Sequence, residues 1–432
     1  MRVSSCRDRL EQALLRIADP AGEGARACLT VYAQTARDAA DAVDARAARG
    51  ESLSPLDGTL ISIKDLFDVA GEPTRAGSKI LAEEAAPATA DAVIVQRLRA
   101  AGAVIVAKTN MTEFAFSGIG ANPHFGTPAN PRDRARVPGG SSSGAPVSVA
   151  DGMSEIAIGT DTGGSVRVPA ALCGLVGFKP SRQRVPTTGA FPLSQTLDSI
   201  GPIAKTVAEC AKADAVMAGE AFVPPEPAAL AGLKLGVAVG LPLEGLDDIV
   251  AKAFSAAMSR LSSVGMNVVP EEFALFDAMT AINNRGGISP PEACAIHRDR
   301  MARRAADIDP TVRARIERGC AVTPADHAEM LRERLRLVAA MDERLAGLDV
   351  LAMPTTAIVA PTIAEVADPN VFSARNMAVL RNPSTINFFD LCAISLPLPD
   401  TALPVGLMLV ARNGRDQALL RIAAAVMQLF GG

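Results

Sequence analysis

The sequence predicts an α/β fold: a single large domain built on a central mixed, twisted β-sheet with helices on both faces. Two observations carry this. Short apolar, strand-like runs alternate with helical segments along the whole chain, the pattern of a sheet covered on both sides. Several of the short strands break the strict strand–helix–strand rhythm, so the sheet should be mixed. At 432 residues and 49% hydrophobic content, the chain can bury a large core, and α/β enzymes reach this length in one unit.

Taken in order, residues 1–50 are rich in Ala and Arg, and Leu10, Leu14 and Ile17 recur at helical spacing. "LDGTLISIKDLFDVAG" runs apolar between Gly58 and Gly71 and reads as a strand or hairpin. Asp91 is placed to cap the helix "DAVIVQRLRAAG", which Gly102 ends, and "AVIVAKTN" follows as a strand. "EIAIGTD" reads as another strand. The core 51–218 leads to a Pro-rich connection, 219–231, and a second half, 232–432. There "LKLGVAVG" and "MNVVP" read as strands. The helix between them carries Ile249, Val250, Ala253, Phe254, Ala257 and Leu261 on one face. Residues 292–346 read as charged surface helices. "LDVLAMP" and "LPVGLMLV" read as late core strands, and "QALLRIAAAVMQLF" as a closing helix. The whole chain, 1–432, is expected to form one unit.

Composition excludes several functions. The formal net charge is −4, whereas nucleic acid and anionic membranes favour a basic surface. With no Trp and one Tyr, Tyr32, a base-stacking platform has no material. No apolar run reaches the length of a membrane span, and Arg and Glu interrupt the N-terminal apolar residues, so no signal-peptide core is expected. The seven cysteines are scattered, with no CxxC pair. They read as thiols in a reducing compartment rather than as a disulfide framework or zinc site. A cytoplasmic protein without metal or cofactor is expected.

Three kinds of site compete. "GGSSSG" (139–144) lacks the lysine of a P-loop, and no GxGxxG follows a strand. A histidine-based hydrolase has only His124, His297 and His327 to draw on, and no G-x-S-x-G elbow. These histidines are better read as ordinary surface or loop residues. The third site needs no histidine. In "GTDTGGSVRVPA", Gly163 and Gly164 precede Ser165 in a turn that can aim several N–H groups at one point, as an oxyanion hole does. Lys64 lies in an apolar run. Burial would lower its pKa from the usual value of about 10.4 and make it a general base. Taken by itself, Lys64 is better read as an ordinary solvated or paired lysine.

Residues 138–181, "PGGSSSGAPVSVADGMSEIAIGTDTGGSVRVPAALCGLVGFKPS", resemble the signature segment of the amidase signature family. "PLDGTLISIKDLFDVAGEPTRAGS", "AGAVIVAKTNMTEFAFS", "TLDSIGPIAKTV", "LDVLAMPTT" and "LPVGLMLVARNG" resemble its other landmarks, so the likeness thins only between about 205 and 345. The resemblance implies a Ser–cis-Ser–Lys triad. Ser165 would be the nucleophile, Ser141, 24 residues earlier, the bridging serine after a cis peptide, and Lys64 the base. Thr162, Gly163, Gly164 and Ser165 would offer oxyanion N–H groups. Ser142 would join the network, and Asp161 and Arg167 would support the turn. The implied reaction is hydrolysis of a small soluble amide through an acyl-enzyme. The alternative is the glutaminase (A-type) subunit of a tRNA-dependent amidotransferase. The resemblance is compatible with a homodimer. Candidate pocket loops are 111–120, 187–195 and 382–392. Phe114, Phe116, Phe191, Phe388 and Phe389 would line a pocket or belong to the core. Arg182, Arg184 or another basic residue would read any substrate carboxylate.

Overall fold

The segment Leu60–Lys64, "LISIK", shows why this chain builds a sheet. All five residues are buried, and alternate side chains go to opposite faces. Ile61 and Ile63 enter the largest apolar cluster, and Leu60 enters a second cluster on the other face. Ser62, on the Leu60 face, is satisfied by the hydroxyls of Ser148 (2.9 Å) and Ser154 (3.1 Å). Lys64 follows on that same face, which is covered by the helix Gly144–Ala150.

The structure is a computed structural model that describes residues 5–431. Its strands are β1 (Cys28–Val31), β2 (Leu60–Lys64), β3 (Val104–Thr109), β4 (Ile156–Thr160), β5 (Val176–Lys179), β6 (Ile200–Ala204), β7 (Lys234–Ala238), β8 (Asn267–Glu271), β9 (Val350–Pro354), β10 (Cys392–Pro397) and β11 (Gly406–Ala411). All eleven form one sheet in the order β1-β3-β2-β4-β6-β5-β10-β11-β9-β7-β8. The runs β3-β2-β4 and β9-β7-β8 are parallel, and every other pair is antiparallel. The sheet is therefore mixed, as expected. Residues 220–230 carry neither helix nor strand.

The parallel run β3-β2-β4 sets three carboxyl ends side by side. Lys64 is in register with Thr109, and Ile63 with Ile158, two residues before Thr160. Open α/β sheets bind ligands outside the carboxyl ends of such strands, because the connecting loops leave there.

Several expectations are corrected. The N-terminal region is not all helix: between the helices Cys6–Ala18 and Ala33–Ala47, β1 pairs antiparallel with β3. Four residues are too short to show a period, and their strand state comes from the partner edge. The first four residues of the expected helical region lie outside the described residues. Asp91 does not cap the following helix, which begins at Val93 after Ala92. Its carboxylate instead accepts from the Ala70 amide (2.8 Å) and Arg99 (2.6 Å). Residues 382–388 are not loop but the last turns of the helix Pro369–Phe388.

The charged helices after 288 also hold more buried material than a surface layer would. His297 and Arg334 are 0% and 1% exposed. Cys294 and Cys320 form a disulfide between the helices Ser289–Arg304 and Pro310–Cys320, contrary to the reading of all seven cysteines as thiols. The other five are free and buried. Protein purified without reductant and then denatured is expected to titrate five free thiols. A count of seven would show that Cys294 and Cys320 are not joined.

Candidate active site

Lys64 ends β2 with its side chain fully buried. The ammonium nitrogen Nζ donates to Ser141 Oγ (2.7 Å) and to Thr160 Oγ1 (2.9 Å), the latter at the end of the neighbouring parallel strand. Burial pushes the Lys64 pKa down to about 7, against the opposing pull of the Asp198 and Asp161 carboxylates. Desolvation disfavours the charged form more than these acids restore it. A large fraction of the amine is therefore neutral near pH 7. In that state the 2.7 Å contact can reverse, with Ser141 donating and the nitrogen accepting.

Ser141 is held by its own backbone. The Gly140–Ser141 peptide is cis, as expected. Gly140 N donates to Gly118 O (2.8 Å), and Thr112 N donates to Ser141 O (2.9 Å). The loop after β3 thus grips both sides of this peptide. Gly140 is required by space: a Cβ there would lie 2.6 Å from Gly120 N. Ser142 Oγ reaches Thr160 O only at 3.5 Å, the limit of a hydrogen bond. It makes no bond to Lys64 or Ser141, so its part in the network is weaker than expected.

The turn after β4 is organised by Asp161. This carboxylate is fully buried and accepts from Gly164 N (2.8 Å), Val166 N (3.2 Å), Arg167 Nε (3.0 Å), an Arg167 terminal nitrogen (2.8 Å) and Asn387 Nδ2 (3.0 Å). Despite burial, Arg167 holds its pKa well below the usual carboxylate range. Arg167 is equally buried and also donates to Pro383 O (2.9 Å) and Asn387 Oδ1 (2.6 Å). Gly164 has φ +125°, and a Cβ there would lie 2.5 Å from Pro383 Cβ. The Gly164 backbone therefore packs directly against the Pro383 ring of the helix Pro369–Phe388.

This arrangement narrows the expected oxyanion set. The Gly164 amide is already bonded to Asp161, whereas those of Thr162, Gly163 and Ser165 donate to no acceptor among the described residues. Gly163 is the open position of the turn: a Cβ there would have only Ser384 Cβ within 4 Å. Ser165 is 5% exposed, and its hydroxyl bonds to no described residue. Ser165 and Ser141 are thus not joined by a hydrogen bond here, whereas Ser141 and Lys64 are.

Residues unremarked in the sequence complete the site. Thr160 is the second acceptor for Lys64. Asp198 accepts from Thr162 Oγ1, Leu193 N (3.0 Å) and Ser194 N (3.1 Å), and burial pushes its carboxyl up to about 6. Asn387 bridges Asp161 and Arg167 from 220 residues beyond Arg167. Only the polar residues of "NPSTINFFD" hinted at it. Arg184 is engaged by Asp214 (2.9 Å) and Glu220 (2.8 Å). Arg182 lies 3.9 Å from Asp390. Phe388 and Phe389 pack into a separate core cluster with Phe276. Phe114 and Phe191 surround the His297 ring instead, at centroid distances of 4.0 and 5.8 Å. Among the described residues no cluster could hold a metal, and no helix is long and apolar enough to cross a membrane.

A family model described as Amidase matches residues 9–420. The chain is 36% identical over 404 residues to the 2-amino-5-chloromuconic acid deaminase of Comamonas testosteroni, covering 92% of this chain and 87% of that protein. It is also 36% identical over 468 residues to the A-type subunit of the glutamyl-tRNA(Gln) amidotransferase of Anaeromyxobacter sp. (strain K), covering 99% and 93%. A crystal structure of an amidase superposes with a TM-score of 0.88 at 31% identity, over 99% of this chain and 96% of that one. The chain therefore belongs to the amidase signature family, and its activity is the hydrolysis of amide C–N bonds.

Proposed function

We propose that Ser165 is the nucleophile, Ser141 the proton relay and Lys64 the general base in hydrolysis of a small soluble amide. The observation that carries this is the buried Lys64–Ser141 contact of 2.7 Å, with an amine whose pKa is near 7. Neutral Lys64 takes the Ser141 proton as Ser141 takes one from Ser165, and Ser165 attacks the amide carbonyl. The amides of Thr162, Gly163 and Ser165 receive the developing oxyanion. The relay returns the proton to the leaving amine, and water then hydrolyses the acyl-enzyme. Asp161 and Arg167 shape the turn and do not react.

The glutaminase reading is the second reading, and the 36% identity to the A-type component of an amidotransferase supports it. The −4 charge and the absence of Trp weigh against nucleic-acid contact by this chain. Turnover of simple amides by the chain alone supports the free hydrolase; turnover of glutamine only, and only with added partner proteins, supports the other. We also propose a cytoplasmic location. Five free buried cysteines support it, and the Cys294–Cys320 bond opposes it.

Ser165→Ala is expected to abolish the covalent acyl adduct formed with an activated ester, read by intact-protein mass spectrometry. A persisting adduct would exclude Ser165. Lys64→Met is expected to lower amide turnover by about 10²–10⁴-fold, the usual range for a general base. In the wild type, kcat/KM should rise with pH through about 7 as Lys64 loses its proton, and this limb should vanish in the variant. A limb that survives the substitution assigns it to another group. Asp161→Asn leaves Arg167 buried without its counter-charge and is expected to destabilise the fold by about 3–5 kcal/mol in denaturant melts.

A further inference from the structure

Arg315 lies on the helix Pro310–Cys320. Its guanidinium stacks 4.5 Å from the ring centroid of Phe116. Among the described residues it has neither a hydrogen-bond partner nor an ion pair, and its Nε is buried. The residue as a whole keeps partial solvent access. Other buried cations have a partner: Arg167 and Arg334 each face an acid, Lys108 lies 3.5 Å from Glu72, Lys64 is bonded to two hydroxyls and Lys179 to two carbonyls. A buried guanidinium without a counter-ion is costly, and stacking on an aromatic face recovers only part of that cost.

The position of Phe116 relates this cation to the chemistry. Phe116 lies between Thr112 and Gly118, the two residues whose backbones grip the Gly140–Ser141 peptide. The helix carrying Arg315 is fastened to the same loop, since Asp309 N, at its start, donates to Glu113 Oε2 (2.6 Å). Glu113, the acid of that loop, turns this oxygen also to His124 Nε2 (3.1 Å), and not to Arg315. Beside Phe116, the Phe114–His297–Phe191 cluster adds a ring whose two nitrogens are buried and unpartnered. Burial, aided by the nearby Arg300, pushes the His297 pKa down to about 3, so this ring is neutral; Arg300 itself lies 5.5 Å from the Phe191 ring centroid. Phe191 is anchored two residues from Lys64, through Phe191 N to Leu66 O (2.8 Å).

We propose that the acyl part of the amide substrate carries a carboxylate and that Arg315 is its receptor. This rests on the assignment of the Lys64, Ser141 and Ser165 site given above. An incoming carboxylate supplies the missing counter-ion, and the planar guanidinium can hold it through two parallel hydrogen bonds while remaining stacked on Phe116.

The test uses full-length protein with the monoamide monocarboxylates succinamate, glutaramate and adipamate, and with the uncharged amides butyramide, valeramide and hexanamide. Wild type should prefer at least one charged amide over its uncharged counterpart by about tenfold or more in kcat/KM, the scale of one hydrogen bond between charged groups. Arg315→Met should reduce that ratio to near one, and Arg315→Lys should restore part of it. Equal ratios in all three proteins would overturn the proposal. Binding separates this from the catalytic assignment. Calorimetry on Ser165→Ala should show a charged amide binding about tenfold more weakly once Arg315→Met is added. Unchanged binding, or no preference for the charged amides, overturns the carboxylate receptor. If instead the wild type hydrolyses no amide and forms no acyl adduct, the catalytic assignment fails, and the binding comparison still decides Arg315.

Discussion

The buried Asp161 carboxylate is the constraint on which the proposed active site depends. It follows β4 and takes the backbone amides of Gly164, Val166 and Arg167, two guanidinium nitrogens of Arg167 and the amide of Asn387. Each contact removes a way for residues 162–167 to relax. An isolated carboxylate at this depth would protonate, but paired with Arg167 and fully hydrogen-bonded it remains charged. Its bond to Gly164 uses that amide, whereas the amides of Thr162, Gly163 and Ser165 donate to no acceptor among the described residues. One acid thus sets both the shape of the turn and which of its donors remain available.

The second constraint is the parallel arrangement of β3, β2 and β4. It brings Lys64, Thr160 and the loop that grips Ser141 to one edge, although they come from separate parts of the chain. The same placement puts the Lys64 nitrogen beyond the reach of water. A lysine at the surface would be charged at neutral pH and could not accept a proton. Here two hydroxyls are its hydrogen-bond partners and no carboxylate touches it, so the cost of burial falls on the charged form. Asp198 and Asp161 act from further off and moderate that shift.

The site was legible to very different degrees. Ser141, Ser165 and Lys64 stood out through resemblance of the surrounding motifs, and the helix 248–263 and strands such as 156–160 through their apolar patterns. Gly164 was expected among the free donors, but its amide is occupied by Asp161, a detail of turn geometry with no trace in composition. Nothing local marks Thr160 or Asp198, because a threonine ending a strand and an aspartate in a loop are ordinary in sequence. Cys294 and Cys320 carried no spacing signal, since they meet only when two helices pack side by side. His297 read as a surface residue because its helix is charged, yet its face turns inward between two phenylalanines.

The sequence by itself determined the class of fold and the two glycine turns, and it named the groups proposed to do the chemistry. These are local matters of side-chain type, backbone freedom and apolar pattern. Only the tertiary structure decided the protonation of Lys64, the donors left free beside Ser165, and the isolation of Arg315 against Phe116. Each depends on what surrounds a group in space: the water excluded, the acid within reach, the ring beneath it. Such surroundings are assembled from residues tens to hundreds of positions apart, and the order of residues along the chain does not display them.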